Sequence, residues 1–86
     1  LTKQIALDYA DKNIQVFGLA PGAVKTAMTA ADFEPDGLAD WVAEETPIKR
    51  WLDPQEIANV SLFLASGKAA AMQGEIIKID GGWSLK

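Results

Sequence analysis

The sequence predicts an α/β fold built on a parallel sheet. Two short, mostly apolar segments, residues 14–20 and 75–79, are typical of strands. A helix with strong start signals lies between them, and strands joined by helical crossovers run parallel. Because two strands do not make a stable sheet, we expect their neighbouring strands to lie outside these 86 residues.

Length and composition limit the classes of protein that fit. A chain of 86 residues holds one small domain at most, and it has neither cysteine for disulfides nor histidine for the usual structural zinc sites. Hydrophobic residues make up 49% of the chain, which is typical of a core-forming sequence. The net charge of −4 argues against nucleic-acid binding. No apolar stretch approaches the ~20 residues of a membrane span, so we expect a cytoplasmic protein.

The first elements are a helix end and a strand. Residues 1–10 carry apolar side chains at helical spacing, and residues 11–13 form a turn signal. Residues 14–20 then predict a strand that is buried on both faces of the sheet. Pro21 and Gly22 end it, because proline removes a ladder donor and glycine permits unusual backbone angles.

Residues 23–50 form the least regular part. Residues 32–37 are polar and carry Pro35, which predicts a loop. A short amphipathic helix follows and is broken at Thr46 and Pro47. Its shared face consists of Leu38, Trp41, Val42 and Glu45.

The next helix, over residues 53–66, has the clearest start. Asp53 is a good N-cap, Pro54 suits the first helical position, and Glu56 completes a capping box. Gly67 is placed to end this helix. The strand of residues 75–79 then closes on a turn at residues 80–82.

Three segments in this order resemble the short-chain dehydrogenase/reductase family. Residues 13–26 resemble its late strand and Pro-Gly turn, residues 47–66 its penultimate helix, and residues 74–82 its final strand. Residues 1–3 fit the helix that follows the family's catalytic tyrosine and lysine. The resemblance implies the C-terminal part of a single NAD(P)-binding domain, a doubly wound, parallel-sheet Rossmann-like fold. Gln15, Phe17 and Trp51 depart from common family residues, none at a catalytic position.

The family's catalytic machinery has no counterpart in these residues. Its glycine-rich dinucleotide loop, its catalytic Asn and Ser, and its Tyr-x-x-x-Lys pair would all precede Leu1, so we expect a chain cut from a longer one and assign no catalytic residue here. The only tyrosine, Tyr9, is followed four residues later by Asn13. No Ser/His/Asp triad is available without histidine, and the turn at residues 80–82 lacks calcium-ligand spacing, so no metal site is predicted.

The Pro-Gly turn is the candidate cofactor site. The resemblance implies that Pro21 and Gly22 pack on the nicotinamide of NAD or NADP. It also implies that the Val24 backbone hydrogen-bonds the carboxamide, and that the Thr26 hydroxyl reaches the carboxamide or pyrophosphate. Spacing alone favours the simpler interpretation that Pro21 and Gly22 only terminate a strand.

Residues 28–51 correspond to the family's substrate loop. Met28, Phe33 and Trp41 could line an apolar substrate pocket, or they could only anchor this segment on the body of the protein. Trp51 is expected to pack, and Asp53 and Glu56 to cap a helix rather than to serve as an acid/base pair.

Two functions remain open at this stage. In the first, the parent chain transfers a hydride between NAD(H) or NADP(H) and a small carbonyl or alcohol substrate, and these residues alone are inactive. The family pairs its last helix and strand between subunits, which implies a homo-oligomer, a tetramer or a dimer. In the second, the short chain is a non-catalytic interaction or oligomerisation module that docks on full-length relatives. Trp83 could reach an interface or a neighbouring pocket.

Overall fold

The computed structural model describes residues 1–86 and contains three α-helices and two strands. In chain order they are α1 (Thr2–Tyr9), β1 (Gly18–Pro21), α2 (Ala39–Glu45), α3 (Pro54–Ala65) and β2 (Ile76–Ile79). Short 3-10 segments cover Ala10–Lys12, Ala27–Phe33, Ala70–Met72 and Trp83–Leu85. No helix is long and apolar enough to cross a bilayer.

The two strands form one parallel sheet, which confirms the predicted α/β class. Gly18 pairs with Ile76, and the register continues to Pro21 opposite Ile79. One further ladder bond follows, because the Gly22 amide donates to the Ile79 carbonyl at 2.9 Å. The sheet therefore runs up to the Pro-Gly turn and stops there.

The first strand is shorter than predicted. Residues 14–17 are not part of the sheet, because the side chain of Gln73 takes the place of a strand partner. Its Oε1 accepts from the Val16 amide at 3.1 Å, and its Nε2 donates to the carbonyls of Ile14 at 3.1 Å and Ala6 at 2.9 Å. One side chain thus ties the approach to β1 to the end of α1.

The prediction that β1 is buried on both faces is wrong for this chain. Leu19 of β1 is 36% exposed and Ile76 of β2 is 46% exposed. The cause is the small number of covering elements, since α1 reaches only the beginning of the sheet, where Thr2 lies against Gly18. The buried hydrophobic residues are Ala6, Leu52, Leu64 and Ala69.

The signals at both ends of α3 are confirmed. The Asp53 carboxylate accepts from the Gln55 amide at 3.0 Å, and Glu56 Oε1 accepts from the Asp53 amide at 2.9 Å. These bonds satisfy amides that have no partner within the helix. After the last turn, Gly67 adopts a φ of 83°, the left-handed conformation expected of a C′ glycine.

The predicted amphipathic helix is α2, and it ends where expected. The Thr46 amide and hydroxyl both donate to the Val42 carbonyl, the hydroxyl at 2.7 Å. The preceding loop is shorter than predicted, because the Ala27–Phe33 segment continues through Asp32 and Phe33 as 3-10 helix. The irregular part of this excursion is therefore reduced to residues 34–38.

Candidate functional site

The site begins where β1 ends. Gly22 crosses so close to the turn after β2 that a Cβ at this position would lie 2.8 Å from the Cα of Asp80. Any side chain would collide with backbone there, so the position requires glycine. In open α/β sheets ligands bind beyond the carboxyl ends of the strands, and this turn occupies that edge.

Val24 is held like a residue of a second, very short strand pair. It forms an isolated parallel bridge with Leu52. The Leu52 amide donates to the Ala23 carbonyl at 2.8 Å, and the Lys25 amide donates to the Leu52 carbonyl at 2.9 Å. Since these bonds use the groups on either side of Val24, the N–H and C=O of Val24 itself face away from Leu52.

Thr29 fixes the other side of this segment. Its hydroxyl donates to the Val24 carbonyl at 3.0 Å and accepts from the Thr26 amide at 2.9 Å. Val24 is half-buried as a residue, and its N–H has no hydrogen-bond partner in the chain. The neighbouring hydrogen bonds fix the direction of this N–H. Because backbone amides inside folded proteins are normally paired, an unpaired one is available to bind a ligand carbonyl.

A cleft of about 470 Å³ lies beside the turn. Pro21 and Gly22 line it, whereas Val24 and Thr26 lie beyond its edge. Val42 of α2 and residues after β2 also line it. The remaining lining residues are Ala20, Ala23, Val42, Lys78, Asp80, Trp83 and Ser84.

Asp80 lines this cleft and fixes the turn that follows β2. Its two carboxylate oxygens accept from the Gly82 amide at 3.0 Å and the Ser84 amide at 3.1 Å. Hydrogen bonding from Ser84 is the main cause of the lowered pKa of Asp80, and it outweighs the opposing effect of desolvation. Asp80 therefore serves as a fixed anion that shapes the turn.

The structure separates the three predicted substrate-loop residues. Phe33 packs on Trp51 with ring centroids 4.8 Å apart, and Trp41 meets Trp83 edge-on at 6.3 Å. Met28 is 95% exposed. In this chain Phe33 and Trp41 thus anchor two ends of the excursion and do not share one pocket with Met28.

Trp51 packs, as predicted. Its ring packs against Phe33 at an interplanar angle of 50°. Its indole Nε1 donates to the Ala39 carbonyl at 2.9 Å, which ties the residues just before α3 to the first residue of α2. The Lys25 ammonium lies 4.9 Å from the Phe33 ring centroid and extends this cluster back to the Pro-Gly turn.

Sequence reasoning missed two residues of the site, Thr29 and Leu52. Thr29 carried a usable signal, because a threonine three residues after Thr26 is placed to bond back to the backbone. Leu52 carried none, since its role depends on a contact between segments that are distant in the sequence. For Trp83, the sequence left an interface and a neighbouring pocket open, and the structure places it in the lining of the cleft and against Trp41.

Comparison with known proteins agrees with this geometry. Residues 1–84 match the protein family described as enoyl-(acyl carrier protein) reductase. The chain belongs to the short-chain dehydrogenase/reductase family, whose structures have the Rossmann fold.

Individual relatives support the same family. The chain is 40% identical over 82 residues to 5-keto-D-gluconate 5-reductase of Escherichia coli K12, covering 95% of this chain and 32% of the relative. It is 40% identical over 81 residues, 94% of this chain and 32% of the relative, to 3-oxoacyl-[acyl-carrier-protein] reductase FabG of Aquifex aeolicus. This chain thus spans about a third of the length of the curated relatives it matches.

Solved structures are similar over almost the whole chain. The gluconate 5-dehydrogenase of Burkholderia cenocepacia, in complex with NADP and tartrate, superposes with a TM-score of 0.89 at 33% identity. That match covers 99% of this chain and 33% of the other. A 4-hydroxyisoleucine dehydrogenase complexed with NADH gives a TM-score of 0.92 at 30% identity, covering 99% and 35%.

Proposed function

We propose that this chain forms the C-terminal part of an NAD(P)-dependent oxidoreductase. The whole protein would transfer a hydride between the nicotinamide cofactor and a small carbonyl or alcohol substrate. In this proposal the catalytic tyrosine and lysine and the glycine-rich loop come from residues outside this chain. Relatives that bind NADP or NADH support the choice of cofactor class.

The unpaired Val24 amide is the observation that carries this proposal. It faces away from Leu52, is held by Thr29 through the Val24 carbonyl, and lies two residues beyond the close crossing at Gly22. A carboxamide oxygen is a suitable acceptor for such a donor. The residues present therefore fit one wall of a nicotinamide site.

Each residue of the turn has a separate task in this proposal. Gly22 has no side chain and Pro21 carries only a compact ring, so an aromatic ring can lie close against this turn. Val24 donates its amide to the carboxamide, and Thr26 offers its hydroxyl to the carboxamide or to the pyrophosphate. The cofactor, when bound, supplies or accepts the hydride; these residues orient its ring.

The excursion from Met28 to Trp51 is the proposed substrate segment. Trp41 and Phe33 anchor it at two points, and the exposed side chain of Met28 is free to meet a ligand. Several relatives are named for reactions on gluconate derivatives, so 5-keto-D-gluconate is a sensible first substrate to assay.

The second candidate is an interaction module that docks on another copy or a relative. Leu62 of α3 is 72% exposed, and Phe63 and Ile76 are also partly exposed, which leaves an apolar surface on the last helix and strand. Such a surface is compatible with the homo-oligomer expected from the family. The oligomeric state and the cytoplasmic location remain parts of the proposal.

The test removes the Val24 donor and little else. In the natural gene product that contains these residues, Val24→Pro deletes the N–H, while both hydrogen bonds of the bridge to Leu52 use other groups. Val24→Ala is the matched control, because it trims the side chain and keeps the donor. NADH and NADPH are titrated by fluorescence, and circular dichroism checks the fold.

We expect Val24→Pro to raise the Kd of the preferred cofactor about fivefold to tenfold, the effect of one lost hydrogen bond, and Val24→Ala to leave it within about twofold. Equal affinity of the two variants would contradict the role of Val24. If the unmodified protein bound neither cofactor, the oxidoreductase proposal would fail and sedimentation would test the interaction module.

A further inference from the structure

The end of α2 has an unfavourable charge arrangement of its own. Glu44 and Glu45 lie in its last turn, and the helix has no basic residue there. The C-terminal end of a helix carries the negative pole of its dipole and carbonyls without partners. A helix of seven residues with this sequence needs cations from elsewhere.

Two lysines outside the helix supply them. Lys49 Nζ donates to the Glu44 carbonyl at 2.6 Å from the turn that directly follows α2. Lys86 Nζ donates to the Glu45 carbonyl at 2.8 Å and to the Glu45 carboxylate at 3.1 Å. Lys86 comes from 41 residues further along the chain, so its contact joins two separate segments.

The contact of Lys86 is part of a larger cluster. Its ammonium lies 3.9 Å from the ring centroid of Trp83, and Trp83 in turn meets Trp41 of α2 edge-on. The Ile48 amide donates to the Gly81 carbonyl at 3.2 Å. The segment after β2 therefore holds α2 at its middle, at its end and just beyond it.

This cluster and the Pro-Gly turn line the same cleft. Val42 of α2 and Trp83 contribute to its lining together with Pro21 and Gly22. The Asp80 carboxylate fixes the backbone of the segment after β2 by accepting from the Gly82 and Ser84 amides. The distance from α2 to the Pro-Gly turn thus depends on where Trp83 and Lys86 place the helix.

We propose that Trp83 and Lys86 are positioning residues that hold α2 at the cleft lined by Pro21 and Gly22, and that they set the width of this cleft, through which a substrate would reach the cofactor. This inference rests on the proposed function for its consequence in catalysis. The holding of α2 itself does not depend on that function. Neither residue is assigned a contact with the reacting atoms.

The experiment compares the loss of each of the two lysine contacts at the end of α2. Lys86→Gln removes the remote contact, and Lys49→Gln is the matched control that removes the local one. Trp83→Ala removes the ring between Lys86 and Trp41, and Trp83→Phe and Lys86→Arg are the conservative variants expected to restore the contact. All are made in the natural gene product and read out by hydrogen exchange of residues 39–46, by NADH and NADPH titration, and by KM and kcat for 5-keto-D-gluconate.

We expect Trp83→Ala and Lys86→Gln to speed exchange of residues 39–46 about fivefold or more and to raise KM. Lys86 does not line the cleft, so Lys86→Gln should leave cofactor affinity and kcat within about twofold. The conservative variants should return the exchange rates to near their original values. Unchanged exchange in Trp83→Ala and Lys86→Gln, or an equal effect of Lys49→Gln, would overturn the proposal. A protein that binds no cofactor would instead refute the proposed function, and the exchange rates would still decide whether these residues hold α2.

Discussion

Thr29 is the residue on which the shape of the candidate cofactor wall depends. One hydroxyl accepts from the Thr26 amide and donates to the Val24 carbonyl, so it fixes two of the four predicted site residues at once. The resemblance to the family identified Val24 and Thr26 but could not show what orients them. The orientation comes from a local side-chain bond that spacing hints at and only the folded geometry establishes.

Replacing this hydroxyl should weaken cofactor binding without unfolding the protein. We predict that Thr29→Val, which keeps the side-chain shape, raises the Kd for NADH or NADPH about threefold to tenfold, because each lost hydrogen bond costs about 1 kcal/mol. Thr29→Ser keeps the hydroxyl and should bind within about twofold of the unmodified protein. Fluorescence titration measures both, and equal weakening by valine and serine would contradict the role given to the hydroxyl.

Glu56 is the residue whose charge state matters most for the start of α3. The hydrogen bond from Arg50, followed by that from the Asp53 amide, lowers the pKa of Glu56 from the ordinary 4.5 to about 2. The bond from Arg50 is bidentate, at 2.6 and 3.0 Å. The ionised form is therefore favoured in the folded chain.

The sign of the resulting pH dependence follows from this lowered pKa. The stabilisation by Glu56 is fully present above pH 4.5 and is lost as the pH falls from there towards 2. We predict that the free energy of unfolding of the natural gene product falls more between about pH 6 and pH 3 than that of its Glu56→Gln variant. Urea unfolding at the two pH values measures this difference, and parallel losses in the two proteins would count against it.

Among the elements, both ends of α3 were predictable, whereas for β1 the strand and its end were predictable but its beginning was not. Asp53, Pro54 and Glu56 act within one turn of the chain, so the sequence contains everything that starts this helix. The beginning of β1 depends on Gln73, a residue far along the chain that replaces a strand partner by its side chain. Interactions between residues that are close in the sequence can be predicted from it, whereas the pairing of distant segments cannot.

Gly67, after the end of α3, allows the cost of a left-handed backbone conformation to be measured without steric clashes. Gly67 has a φ of 83°, and a Cβ added there would meet no atom within 4 Å, so only backbone strain opposes a side chain. We predict that Gly67→Ala destabilises the natural gene product by about 1 kcal/mol and Gly67→Asn by less, because asparagine tolerates the left-handed region. Urea unfolding measures both; an equal cost would show that the strain argument does not apply.

At the scale of the whole molecule, the chain makes few contacts with itself. Only six of 86 residues are buried, and the radius of gyration is 15.7 Å, against about 12 Å for a compact domain of this length. The two-stranded sheet leaves both outer edges unpaired. Further strands were expected from the sequence, and the unpaired outer edges of β1 and β2 are their structural counterpart.

This exposure predicts how residues 1–86 behave alone. A chain that buries so little apolar surface has little to offset its conformational entropy. We predict that the isolated chain shows no sharp thermal transition by circular dichroism, and that it neither binds NADH tightly nor oxidises alcohols. A cooperative melt of a monomer, together with tight NADH binding, would show that these residues form an independent domain.

A crystal structure of the natural gene product with NADH or NADPH bound would show directly whether the Val24 amide binds the nicotinamide carboxamide, as proposed. We expect a distance of about 2.8–3.2 Å between the Val24 nitrogen and the carboxamide oxygen, with the ring against Pro21 and Gly22. A bound cofactor whose carboxamide meets other residues, with the Val24 amide facing solvent, would refute the role proposed for Val24.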